Sequence, residues 1–178
     1  EQHILNLSRY AGSFPWPEEW LEERKNDYAA GDMEALVRSD YGQYLTERVN
    51  RTVEGCLEKL REVKRLCELP DGPYMYGELT DAEIEQLERL TDCKNLEEQA
   101  AKIPAVTFAR LPSKKDDSVD PAKRELAKAI RNSVKDTLSD LSESYFKTPL
   151  ELAVEQGKAC REPLRMLLDL VLEFDRRL

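Results

Sequence analysis

The hydrophobic residues of the chain recur at intervals of three and four over most of its length. The clearest example is an apolar seam formed by Val49, Val53, Cys56, Leu60, Val63 and Cys67. Heptad spacing of this kind places all its members on one side of a long helix. The helical pattern around the seam extends from Met33 to Leu69, which corresponds to about 50 Å at 1.5 Å per residue. The sequence therefore predicts a long helix with one buried side.

A second amphipathic helix is predicted to begin at Asp120-Pro121, because aspartate caps a helix and proline suits its first position. Its predicted buried stripe consists of Leu126, Ile130, Val134, Leu138, Leu141 and Tyr145. Its other faces carry Lys123, Arg124, Lys128, Arg131 and Lys135. This helix is therefore predicted to pack on its apolar side and to expose a set of cations.

Shorter helical segments surround these two helices. They are predicted at Ile4–Tyr10, from Pro17 to about Tyr28, from Thr80 with a capping-box spacing to Glu83, at Asn95–Lys102, and after Thr148 with a break or kink near Pro163. Asp32 is the predicted cap of the long helical pattern that begins at Met33. No convincing strand pattern is present. The predicted fold is all-α: an elongated helical bundle or a long antiparallel helical hairpin with shorter packed helices.

We expect residues 1–178 to form a single helical subdomain. It divides into the long helix plus acidic helices (31–103), a basic loop (104–120) and the C-terminal helices (121–178). The terminal helical patterns lack the usual start and stop signals, which predicts an insertion excised from a larger protein. Ordinary frayed termini are the alternative.

Composition narrows the class of protein. The chain has 178 residues, of which 35% are charged, and a net charge of −9. No apolar run approaches the roughly 20 residues of a membrane span, and the first residues lack signal-peptide features, so no membrane partner and a cytoplasmic location are predicted. The four cysteines form no CxxC pair and there is one histidine, so neither a zinc site nor a disulfide framework is favoured.

The residues between Lys102 and Lys135 are basic although the chain is acidic. They contain nine Lys and Arg against four Asp and Glu, a local charge of +5. A segregated basic strip suggests an anionic partner, first of all nucleic acid, whereas a solvated loop and helix face is the alternative. The candidate DNA-binding residues are Lys114, Lys115, Lys123, Arg124, Lys128 and Arg131. Their expected contacts are with phosphates and independent of base sequence.

No catalytic, cofactor-binding or metal-binding residues are predicted. The chain lacks a GxxxxGK[ST] phosphate loop, and its only histidine, His3, has no nucleophile nearby. Carboxylates are plentiful, but helical spacing pairs most of them with Lys or Arg. Trp16 and Trp20 are expected to pack on the core rather than to stack on bases.

Three stretches also resemble a known family. They are Trp16-Pro17-Glu18-Glu19-Trp20-Leu21, Leu170-Val171-Leu172-Glu173-Phe174-Asp175, and above all the segment from Phe108 to Phe146. That segment contains Phe-x-Arg-Leu-Pro-x-Lys-Lys, then Val-Asp-Pro, a Lys/Arg-rich helix and Tyr-Phe. It resembles the A subunit of AddAB-type bacterial helicase–nucleases, counterparts of the RecBCD enzyme.

The resemblance implies that this chain is the inserted helical subdomain 1B of a UvrD-like superfamily 1 helicase. The parent protein would be an ATP-dependent DNA helicase and exonuclease that acts in double-strand break repair by recombination. Its ATP and magnesium sites would lie outside this chain, and a B-type subunit would be its partner. The subdomain would either contact double-stranded DNA ahead of the motor or brace the motor or the partner subunit.

Overall fold

The computed structural model describes residues 2–27, 31–113 and 116–177, and no strand occurs within these ranges. The helices are α1 (Gln2–Ala11), α2 (Pro17–Asp27), α3 (Met33–Arg38), α4 (Asp40–Cys67), α5 (Gly77–Thr91), α6 (Leu96–Lys102), α7 (Pro121–Leu141) and α8 (Leu150–Arg177). Short helical turns at Tyr74–Tyr76, Ile103–Ala105 and Ser142–Phe146 connect some of them. The predicted all-α fold is confirmed.

The chain divides into two compact units. Residues Glu1–Ser39 and Leu150–Leu178 form one of them, here called the terminal unit. Residues Asp40–Pro149 form the other, the central unit. The description of residues 1–178 as a single subdomain stays a prediction.

The central unit is built around α4, whose predicted apolar seam is buried. Each of its six members has an exposed fraction of 5% or less: Val49, Val53, Cys56, Leu60, Val63 and Cys67. The helix is shorter than the pattern from Met33 to Leu69 indicated, because the backbone is extended at Ser39, with φ −64° and ψ 155°. The pattern is therefore divided between α3 and α4.

Helix α5 folds back along α4 in an antiparallel hairpin. Lys64 Nζ lies 2.5 Å from Asp81 Oδ2, and Arg61 Nη2 lies 3.3 Å from Glu88 Oε1, so residue numbers rise in one helix as they fall in the other. The turn between them depends on Gly72, since a Cβ there would lie 1.9 Å from the carbonyl oxygen of Leu66.

Helix α7 lies antiparallel to α4 as well. The Lys59 ammonium donates to Ser133 Oγ at 3.1 Å, and the Arg48 guanidinium lies 6.0 Å from the centre of the Tyr145 ring. As the chain proceeds from Ser133, past the middle of α7, to Tyr145, beyond the end of α7, its partner in α4 moves back from Lys59 to Arg48. The long antiparallel pairing expected from the sequence is present in the central unit.

Helix starts follow the predicted capping chemistry in two cases and not in a third. Asp32 accepts a hydrogen bond from the Ala35 amide, and Asp120 accepts one from the Ala122 amide, both at 2.8 Å. The predicted start at Thr80 is wrong, because the turn at Tyr74–Tyr76 leads directly into α5 at Gly77. Thr80 lies within the helix, where its buried hydroxyl donates to the Tyr76 carbonyl at 2.9 Å.

The buried stripe of α7 differs from the prediction in its first half. Val134, Leu138 and Leu141 are buried as expected, but Leu126 is 47% exposed. Ala127 and Arg131 are buried instead, each one residue beyond a predicted apolar position. The buried face of α7 is rotated by one residue relative to the predicted stripe, because the side chain that α7 directs toward α5 is charged rather than apolar.

That side chain, Arg131, pairs with Glu83 of α5. Their exposed fractions are 5% and 2%, and Arg131 Nε donates to both Glu83 carboxylate oxygens at 3.0 and 2.9 Å. Arg131 Nη2 also contacts this carboxylate and donates to the Ala109 carbonyl at 2.6 Å, while the guanidinium lies 5.3 Å from the Phe108 ring centre. The prediction that Arg131 occupies an exposed face is therefore wrong.

The terminal unit has a core of its own. Ala11, Leu21, Leu168, Val171 and Leu172 are its buried members. Two polar contacts fasten its helices: Lys25 Nζ lies 2.5 Å from Asp169 Oδ1, and Ser8 Oγ donates to Asp175 Oδ1 at 2.6 Å. Helix α8 continues through Pro163, so a break there is not observed.

The two tryptophans of the terminal unit differ in environment. Trp20 packs against the core and stacks on Phe14, with ring centres 4.6 Å apart, as the sequence predicts. Trp16 is 61% exposed, so the prediction that it packs on the core is wrong. It precedes the first residue of α2, so it lies outside the periodicity that directs Trp20 inward.

We predict that Leu60→Asp destabilises the chain by more than about 3 kcal/mol, because it places an unpaired charge in the fully buried seam of α4. Urea unfolding followed by circular dichroism measures the effect. Leu126→Asp is the matched control: this leucine is 47% exposed and should tolerate the charge. Equal losses for both variants would contradict the observed packing.

We also predict that Arg131→Met costs about 3–5 kcal/mol, because it leaves the Glu83 carboxylate buried without its partner. Adding Glu83→Leu to the same protein should restore much of the loss, since no buried charge then remains. Lys128→Met, one turn earlier and partly exposed, serves as control. Additive losses in the double variant would show that the pair is not coupled.

Candidate nucleic-acid interface

Three of the six predicted DNA-binding residues lie near the start of α7 in the central unit. Lys123, Arg124 and Lys128 lie on the first two turns of the helix. Arg131 is withdrawn into the core, where it pairs with Glu83. Lys114 and Lys115 lie outside the described residues.

The segment that leads into the basic loop is anchored to the core by two side chains and one backbone carbonyl. The Phe108 ring and the Ala109 carbonyl contact the Arg131 guanidinium, and Leu111 packs against the cluster that contains Val63 and Tyr76. Arg110 between them is exposed. The Phe-x-Arg-Leu portion of the sequence motif therefore fixes the link in place and leaves its arginine outside.

The far end of the loop is anchored to the turn between α4 and α5. The Asp120 amide donates to the Asp71 carbonyl at 2.8 Å, and Val119 is 6% exposed. Lys123 Nζ lies 2.5 Å from Asp71 Oδ1. This hydrogen bond lowers the pKa of the Asp71 carboxyl, so the bridge contributes above the unfolded-state pKa and is lost as pH falls through the lowered one.

The three described cations at this site all have partners within the chain. Besides the Lys123 bridge, Arg124 Nε donates to the Tyr76 hydroxyl at 2.9 Å, and Lys128 Nζ lies 2.6 Å from Glu125 Oε1. Arg124 and Lys128 line a pocket of about 550 Å³.

Carboxylates share that pocket. Asp116, Asp117 and Glu125 line it together with the two cations, so its lining is mixed in charge. The first amides of α7 are also partly occupied, because the Asp120 side chain caps the helix. An incoming phosphate would therefore compete with carboxylates that are already in place.

A second group of exposed cations was missed by sequence reasoning. Arg48 and Arg51 lie on the same side of α4 as the exposed Tyr41 and Tyr44. These four residues are spaced by three, four and three positions, which is a pattern visible in the sequence. The stronger pattern of the apolar seam on the other side of α4 predicts only the buried side of the helix. The exposure values in the structure separate the two sides.

No group of three potential metal ligands occurs among the residues that the structure describes. Burial raises the pKa values of the Cys56, Cys67 and Cys93 thiols, which disfavours the thiolates that a soft metal needs. Within the same ranges, no helix has the length and apolar character required to cross a membrane.

Comparison with known proteins gives a consistent match. No family model matches the chain. The A subunit of the ATP-dependent helicase/nuclease of Lachnoclostridium phytofermentans is 33% identical over the whole chain. The corresponding proteins from Bacillus licheniformis and Moorella thermoacetica are 30% and 28% identical over 99% and 98% of it.

The chain spans only 13% to 14% of the length of these relatives. The resemblance that the sequence motifs indicated is confirmed by these matches. Over its entire length the chain is therefore similar to one segment of ATP-dependent helicase/nuclease A subunits.

Proposed function

We propose that the chain is a non-catalytic helical subdomain of an ATP-dependent DNA helicase and exonuclease, and that it contacts double-stranded DNA without sequence preference. The observation that carries the proposal is the similarity of the whole chain to helicase/nuclease A subunits. The basic strip from Lys102 to Lys135, with its charge of +5 in a chain of −9, supports the DNA contact.

The DNA contact would be made by the loop and the first turns of α7. The loop that contains Lys114 and Lys115 is bounded by the Arg131 contacts on one side and by the Asp71 contacts on the other. Lysines in a loop would contact phosphates without reading bases. Lys123 and Lys128 would contribute by exchanging a carboxylate partner for a phosphate. Arg131 is left out of the proposed contact because it is buried.

The parent enzyme would act in double-strand break repair by recombination, together with a B-type subunit. ATP and magnesium would bind at motor and nuclease sites outside this chain, which carries no phosphate-binding loop. The subdomain corresponds in this proposal to the 1B insertion of a UvrD-like motor.

A structural role is the second candidate. Lys123 and Lys128 form ion pairs with Asp71 and Glu125. Paired cations attract DNA less strongly, which favours a surface that braces the motor or a partner subunit. The two candidates differ in what they require of the cations, because only DNA binding depends on their positive charge.

We predict that changing Lys114, Lys115, Lys123 and Arg124 to Glu in the full-length enzyme weakens duplex-end binding and unwinding. About four phosphate contacts give a log–log salt slope of roughly −3 to −4, which the change should remove. Filter binding and unwinding assays over a salt series measure both effects. The melting temperature should fall, because Lys123 and Arg124 are half-buried and contact Asp71 and Tyr76, so circular dichroism checks that the variant remains folded.

The matched control carries the same four-fold charge reversal at exposed cations outside the basic strip: Arg9, Arg65, Lys94 and Arg165. Because its net charge is identical, it separates local contact from general repulsion of DNA. Normal binding and unwinding by the first variant at every salt concentration would support the structural brace instead.

A further prediction concerns the chain by itself. The purified 178-residue chain should neither hydrolyse ATP nor cut DNA, with or without magnesium, because its sequence contains no phosphate-binding loop. A phosphate-release assay and a plasmid-nicking assay measure the two activities. ATP turnover that persists through a second purification would show that the chain has a nucleotide site of its own.

A further inference from the structure

One side of α4 presents two tyrosines and two arginines to solvent. Tyr41 and Tyr44 are 59% and 56% exposed, and Arg48 and Arg51 are exposed as well. Steps of three, four and three residues place all four on one side of the helix, away from the buried seam. We call these four residues the α4 stripe.

The arginines of the stripe lie near the exposed Glu47 and Glu54 but form no ion pair with them. Arg48 Nη1 donates to the Tyr44 hydroxyl at 3.2 Å, and its guanidinium lies 6.0 Å from the Tyr145 ring centre. Within the described ranges, neither Arg48 nor Arg51 takes part in an ion pair. The stripe thus differs from the α7 site, where Lys123 and Lys128 bridge to Asp71 and Glu125.

The surface continues beyond the stripe toward the C-terminal half of α4. Gly55 is exposed, and a Cβ built there meets no atom within 4 Å, so the helix backbone itself is accessible. Lys59 follows one turn later. From Tyr41 to Lys59 the helix advances about 27 Å at 1.5 Å per residue, enough for several nucleotides.

We propose that the α4 stripe binds single-stranded nucleic acid, with bases stacked on Tyr41 and Tyr44 and phosphates paired with Arg48 and Arg51. Exposed aromatic rings interleaved with cations are the combination that sequence-independent single-strand binding uses. A duplex offers no base faces for the tyrosine rings to stack on, because its bases are already stacked on one another. The inference rests on the proposed function, since a helicase produces the single strands that this surface would hold.

The test measures fluorescence anisotropy of a labelled oligothymidylate with the full 178-residue chain at low salt. Tyr41→Ala with Tyr44→Ala should weaken binding by about fivefold or more for each ring removed. The Tyr41→Phe, Tyr44→Phe protein is the matched control and should bind like the unchanged chain, because it keeps both rings. Tyr74→Ala, at a 48% exposed tyrosine elsewhere in the central unit, should also have no effect.

The arginines are tested independently of the rings. Arg48→Gln with Arg51→Gln should weaken binding and reduce the log–log salt slope by about 1.4, or about 0.7 for each phosphate contact on a single strand. All substituted positions are exposed, and circular dichroism checks that each variant keeps its helicity. Unchanged affinity in both the alanine and the glutamine proteins would overturn the proposal.

The variants also separate this proposal from the duplex contact. If only the α4 proposal is wrong, reversal of Lys114, Lys115, Lys123 and Arg124 still weakens duplex binding. The α4 substitutions then leave oligothymidylate binding unchanged. Failure of the duplex contact alone gives the opposite pattern. If the α4 changes instead leave oligothymidylate binding intact and abolish association with a B-type subunit, the stripe is a protein interface and the proposal is wrong.

Discussion

The buried ion pair between Arg131 and Glu83 is the constraint on which the central unit depends. Each charge lies in a position that water does not reach, so it is tolerated only while the other compensates it. The same guanidinium also supplies the hydrogen-bond donor that the Ala109 carbonyl needs, which no apolar side chain could do. One side chain therefore fixes α5, α7 and the link before the basic loop with respect to one another.

Sequence patterns predicted the helices well because helix formation is governed by neighbours a few residues away. The α4 seam and the Asp120 cap depend on spacing and local hydrogen bonds, both visible in the sequence. Arg131 was misplaced because its partner, Glu83, lies 48 residues earlier, and no periodicity reports such a pairing. An arginine on an amphipathic helix is normally solvated, so only the packed structure identifies this one as a core residue.

The candidate site shows the same division between local and distant information. Sequence patterns located the cations near the start of α7 but did not show that they are paired with carboxylates. Lys123 pairs with Asp71 through a tertiary contact, and Lys128 pairs with Glu125 through helix spacing. The α4 stripe shows the converse. The spacing of the apolar seam predicts the buried side of α4, but spacing alone does not report the exposure of Tyr41 and Tyr44, which the structure shows.

The α7 site and the α4 stripe differ in how their cations are paired within a chain that is acidic overall. At α7, a phosphate would have to replace a carboxylate that is already paired, so the electrostatic gain would be the difference between two similar pairings and would decrease as salt rises. At α4, Arg48 contacts a tyrosine hydroxyl and a tyrosine ring, and Arg51 forms no ion pair within the described ranges, so a phosphate would add a pairing without displacing a carboxylate. A chain with a net charge of −9 holds nucleic acid only where such local arrangements outweigh its overall repulsion. Weak contacts of this kind would guide a strand past the surface while leaving it free to move, as the role proposed for the chain beside a translocating motor requires.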